Sequence, residues 1–147
     1  MKVIETSPKY IEWLNAELMH EESTRWLSEL RFIKDEEHFF EDLIKLFTLQ
    51  LIDSKNFEGS KEIVSQIKSL RTKNAELINA VIIHEKELKI MVDGKDQPKE
   101  EALYKEKHRS LLILVKKYFK EYRKLKSQVF KTIKNAMKIE KQKRLLD

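Results

Sequence analysis

Apolar residues recur along this chain at helical spacing for long stretches, and turn formers are almost missing. Ile11, Leu14, Leu18, Phe32, Phe40, Leu43 and Phe47 mark a first amphipathic run. Ser7 and Pro8 open it, serine as N-cap and proline at the first helical position, where its missing N–H costs nothing. The pattern predicts a helix from about Pro8 to about Ile52, roughly 65 Å long at the usual rise per residue. Apolar positions lapse at Glu21–Thr24, so a break there is the alternative reading, and with it four helices instead of three.

Asp53–Gly59 is the predicted first loop, and Ser60 the next N-cap. Ile63, Ile67, Leu70, Leu77, Ile78, Val81, Leu88 and Val92 then share one face of a second helix, which Asp93 and Gly94 end. Pro98 starts the third, with Glu100 and Glu101 at the positive end of its dipole. Tyr104, Leu111, Leu112, Val115, Phe119, Tyr122, Val129, Phe130, Ile133 and Met137 carry its apolar stripe to about Arg144. Short connections between long helices imply antiparallel neighbours. The expected fold is all-α: an elongated antiparallel bundle of three long helices, one domain over residues 1–147. Helix lengths differ on this reading, so Val129, Phe130, Ile133 and Met137 lie on an overhang that wants a partner, most simply a second copy of the chain.

Composition agrees with helices and narrows the chemistry. Charged residues make up 37% of the 147, with only two Gly and two Pro, a profile of long helices or coiled coil. The absence of Cys excludes disulfides and thiolate metal sites. No apolar run reaches the ~20 residues of a membrane span, and the first residues lack the apolar core of a signal peptide. A cytoplasmic location and no membrane partner are the expectations. The net charge of +5 is unevenly spread: 1–53 sums to −6, 54–95 to +2 and 96–147 to +9. Acidic and basic helices packed side by side account for this better than nucleic-acid binding does.

Projected at 100° per residue, Glu22, Arg25, Glu29 and Glu36 fall in the middle of the first helix's apolar stripe. On the second, Asn74 and Glu85 are central and His84 lies at the edge; on the third, His108 sits between Tyr104 and Leu111. His20 and His38 project outward. Folding the chain near Ser54 and Lys95 brings Glu22, Arg25, Glu29, His84, Glu85 and His108 to one polar layer. It places Glu36 lower, near Asn74, Tyr118 and Tyr122.

Unpaired charge is costly to bury, so such a layer implies mutual compensation. One reading is structural: Arg25 bridges Glu22 and Glu29, and the network fixes helix register. A second is a metal site, because bundles hold iron and manganese with carboxylates and imidazoles from facing helices. Its ligands would be Glu29, Glu36, Glu85 and His108, holding iron, manganese or zinc. The inward histidines lack the Glu-x-x-His spacing of di-iron bundles, and Arg25 would repel a cation. A third is a small organic-ligand pocket between helices. No phosphate loop, His-Glu-x-x-His or nucleophile elbow is present.

The stretch Trp26–Phe40, W-L-S-E-L-R-F-I-K-D-E-E-H-F-F, resembles a Trp-Leu-x-Glu-Leu-x-Phe-x-x-Asp-Glu motif of small uncharacterised all-helical bacterial proteins. The resemblance reaches Trp26, Glu29, Phe32, Asp35 and Glu36, and His84 and His108 fit the same pattern. It implies a helical bundle and carries no substrate or catalytic residue. The expectation is therefore a non-enzymatic bundle without a cofactor, acting through protein contact or as a homodimer. A metal-binding carboxylate–histidine bundle is the alternative.

Overall fold

Asn15 sets the first described boundary: its Oδ1 accepts the Leu18 amide at 2.8 Å, the N-cap arrangement that satisfies a free donor of the first turn. In the computed structural model, residues 14–47, 57–93 and 98–146 are described. They form three helices: α1 (Ala16–Leu46), α2 (Phe57–Asp93) and α3 (Pro98–Leu146). The expected start at Ser7 and Pro8, and the expected end of the first helix near Ile52, lie outside the described residues, but Leu14 and Asn15, expected within that helix, are not helical, because the Asn15 side chain caps a helix that starts at Ala16. None of the described helices is long and apolar enough to cross a membrane.

The structure decides two local features. α1 runs through Glu21–Thr24 without a break, so the four-helix alternative is set aside. The apolar lapse there arises because Ser23 is itself a core position, wholly buried between Met19 and Trp26. α2 begins at Phe57, ahead of Ser60, so the last residues of the expected loop are already helical. Pro98 does open α3, with Glu100 and Glu101 in its first turn and Lys143 and Arg144 in its last, each suited to its end of the helix dipole.

The chain reverses direction from each helix to the next, and the three pack as an antiparallel bundle. Residues of rising number on α1 pair with falling numbers on α2, as His20 does with Glu85 and Glu41 with Arg71. Buried positions step by alternating threes and fours. On α1 they are Met19, Ser23, Trp26, Leu30, Ile33, Glu37, Phe40 and Ile44. On α2, Ile63, Ile67, Leu70, Asn74, Val81, His84 and Leu88 follow the same rhythm, with half-buried Leu77 completing it. That spacing keeps one narrow seam facing its neighbours over many turns.

The contacts fall into two units. Unit 1 joins α1 up to Arg31 with Ala75–Tyr118. Its core is Met19, Trp26, Leu30, Val81, Leu88, Leu112 and Val115, with His84 and His108 buried among them. Unit 2 joins Phe32–Asn74 with the chain from Phe119 onward. Its core is Ile33, Phe40, Ile44, Ile67, Leu70, Leu125 and Val129, with Glu37 and Asn74 buried beside them. Each large aliphatic or aromatic side chain fully buried contributes about 1.5–3 kcal/mol, and these seams set the register of every polar group below.

Candidate functional site

The polar groups of unit 1 meet in a chain of rings closed to solvent. His84 and His108 occupy core positions, 4% and 0% exposed. His84 Nε2 lies 2.8 Å from His108 Nδ1, and His108 Nε2 lies 3.2 Å from Glu22 Oε1. With Glu22 ionised, His108 Nε2–H donates to the carboxylate. Its Nδ1 is then an acceptor, and His84 Nε2–H donates to it. One carboxylate thus fixes the tautomers of both histidines.

Aromatic side chains hold the rings from both sides. Trp26 stacks on His108 with centroids 4.8 Å apart, and Tyr104 stacks on His84 at 4.3 Å and an interplanar angle of 4°. The Tyr104 hydroxyl donates to the His84 carbonyl oxygen at 2.9 Å, tying ring and backbone of one helix to the other. Burial pushes the Tyr104 hydroxyl well above its ordinary pKa, with the charges of Glu85 and Glu87 adding to it. His84 moves the other way, down to about 4, because burial penalises its charged form first and His108 and Lys107 repel it next. At neutral pH it is an uncharged hydrogen-bond donor.

Glu85 lies beside this chain and is served from outside. Its Oε2 pairs with His20 Nδ1 at 2.6 Å, across a histidine side chain that is mostly exposed. Its Oε1 is buried with no hydrogen-bond partner among the described residues. The outward projection expected of His20 is correct in direction, but it hides this partnership, which helical projection of a single helix has no means of showing.

Unit 2 has its own polar group. Glu36 accepts from the Tyr122 hydroxyl and pairs with Lys126 Nζ at 2.9 Å. The expected neighbourhood of Glu36 and Tyr122 is therefore present. The separation between partners on α1 and α3 is 86 residues both for Glu22 with His108 and for Glu36 with Tyr122. Each unit thus carries one α1 carboxylate on one α3 aromatic or imidazole group at a common register.

Two members of the expected layer are not in it. Arg25 and Glu29 are exposed and line a shallow surface depression with His20, Thr24 and Ser28. Arg25 does not bridge Glu22 and Glu29 from within. The cause is a rotation of the true buried face: Ser23, Leu30, Ile33 and Glu37 are inside, whereas Phe32 lies outside. The four residues considered as metal ligands do not converge either. Glu29 is on the surface, Glu36 belongs to unit 2 with Tyr122 and Lys126, and Glu85 and His108 have other partners. Among the described residues there is no group of three or more His, Asp or Glu arranged to hold a metal ion.

Sequence reasoning missed Glu37, which is 1% exposed in the core of unit 2. Its signal was available in the three-and-four spacing, which places it midway between Ile33 and Phe40. No protein-family model matches this chain, and no curated protein or solved structure matches it either.

Proposed function

We propose that this protein is a non-enzymatic helical bundle that works through protein–protein contact, with the Glu22–His108–His84 chain serving to hold helix register. One observation carries the reading. Both nitrogens of the fully buried His108 are engaged by protein groups, and aromatic rings flank the pair, so its hydrogen-bonding capacity is spent within the bundle. A catalytic imidazole needs a nitrogen within reach of a substrate. Buried polar groups of this kind are best attested as devices that select one helix alignment over its neighbours, because a shifted register would leave them unpaired.

Recognition on this reading belongs to the outer surface, where Phe32, Phe39, Phe130 and Met137 stand more than half or half exposed. The test is the size of the native particle. In extract of the cells that make it, the untagged chain should elute from a sizing column as a species larger than a monomer. Phe130→Asp with Met137→Asp should return it to monomer size while helicity is kept. Monomer-sized elution of the unaltered chain in that extract sinks the contact reading.

A further inference from the structure

The outer surface of unit 2 has a pattern of its own along the edge where α1 meets α3. On α1, Phe32, Phe39 and Leu46 recur every seven residues and are 62%, 56% and 68% exposed. On α3, Phe130 and Met137 recur at the same interval and are 50% and 55% exposed. The two rows are joined. Phe39 lies against Phe40, with ring centroids 6.0 Å apart, and Phe40 meets Phe130 edge-on at 5.3 Å. Phe47, at the end of the α1 row, lines one groove with Phe130, Ile133 and Met137, about 880 Å³ in volume. The pairing of Glu36 with Lys126 and Tyr122 shows that this is the side on which α1 and α3 touch.

Charge flanks this apolar seam asymmetrically. Outside the α1 row stand Asp35 and Asp42, three residues beyond Phe32 and Phe39 respectively, both exposed. They are the exposed carboxylates of Phe32–Leu46; Glu36 and Glu41 pair with Lys126 and Arg71, and Glu37 is buried. Outside the α3 row stand Lys134, Lys138 and Lys141, which border the groove. Lys131–Arg144 holds six basic residues and one acidic. The surface is therefore apolar in the middle, acidic along one edge and basic along the other.

We infer that this seam is where a second copy of the same chain docks, α1 of each protomer lying on α3 of the other. The inference rests on the contact reading above and names its partner. A two-fold axis along the helices sets the acidic edge of each copy against the basic edge of its mate and closes apolar row on apolar row. Such a self-complementary patch is what an isologous dimer requires. Area supports the same occupant. Five large side chains each leaving on the order of 100 Å² expose roughly 500 Å² of apolar surface. With the charged edges added, this approaches the ~800 Å² that each partner gives to a standard interface.

The charged edges supply the test, by exchange. Asp35→Lys with Asp42→Lys makes one variant; Lys134→Glu, Lys138→Glu and Lys141→Glu makes another. All five positions are exposed, and circular dichroism confirms that each variant keeps its helicity. Sedimentation of the purified unaltered chain should show a dimer. Each variant alone should associate at least tenfold more weakly, since like charges then face each other across both edges. Mixed in equal amounts, the two should recover a heterodimer, because both edges become complementary again. Phe130→Asp provides a second probe, independent of the charges, and should give monomer.

A purified chain that stays monomeric at all concentrations overturns the second copy as occupant. A larger particle in cell extract would then leave the contact reading standing, and a monomer in both would remove the two together. A dimer indifferent to Phe130→Asp and to both charge reversals, or variants that weaken but do not recover on mixing, overturns the seam as its interface.

Discussion

At the scale of single residues, His84 gives the protein a definite response to acid. In the unfolded chain its imidazole takes up a proton near 6.5, whereas burial and the neighbouring His108 and Lys107 hold it to about 4 in the fold. Between those values the unfolded chain binds more protons, so acid favours unfolding there. Stability from this group is complete above pH 6.5 and falls away as pH drops towards 4, by roughly 1–3 kcal/mol. Urea melts at neutral and mildly acidic pH should show that slope, and His84→Phe should flatten it relative to the unaltered protein. An unchanged slope in the variant would place the acid response elsewhere. The same substitution takes the donor from His108 Nδ1 and should cost about 1–3 kcal/mol at neutral pH. The contrast at adjacent positions is as definite. Trp26→Ala removes a core ring stacked on His108 and should cost about 3–5 kcal/mol, whereas exposed Arg25→Ala should stay within about 0.5 kcal/mol. Comparable losses from the two would mean that α1 is rotated from the register described.

At the scale of the element, the three helices were legible because so few residues interrupt them, and Pro98 opens α3 as its position predicts. The face that α1 turns inward was legible only in part. Phe32 is apolar but outside, and Leu18 and Leu43 are only half-buried, so counting them on the stripe rotates it towards Glu29 and Arg25. Hydrophobicity alone cannot separate a residue kept for the core from one kept for a surface. Ser23 and Glu37, polar and inside, push the estimate the same way. On α3 the exposed members of the expected stripe, Phe130 and Met137, lie towards its end, whereas Tyr104, Leu111, Leu112 and Val115 around His108 are all buried, which is why His108 was placed correctly. Ser23 offers a direct check on this account. Its Oγ is buried with no hydrogen-bond partner among the described residues, so Ser23→Ala removes a desolvated hydroxyl and improves helix propensity. Thermal melts should show a gain of a few tenths to about 1 kcal/mol. A loss would contradict the placement of that side chain against an apolar seam.

For the molecule as a whole, the charge is distributed in a way that the net value hides. Packing acidic α1 beside basic α3 uses some of it, through pairs such as Glu36 with Lys126. Part of the remainder stands along the two edges of the unit 2 seam, where Asp35 and Asp42 on one side and Lys134, Lys138 and Lys141 on the other border exposed Phe39, Phe130 and Met137. If two copies close over that seam, folding and association share one free energy, and mass action links stability to concentration. Raising total protein a hundredfold should lift the melting temperature of the unaltered chain by several degrees, and Phe130→Asp should abolish the dependence. The chemistry of the surface also sets the effect of salt. Exposed charges more than a Debye length apart are screened, while apolar contact is not weakened. Salt should therefore loosen the dimer only modestly, by severalfold between 0.1 and 1 M, because the edges steer and align while the phenylalanines hold. Loss of the dimer altogether in 1 M salt would mean that charge, and not the apolar seam, carries the contact; a melting temperature independent of concentration at both salts would mean that folding and association are not linked.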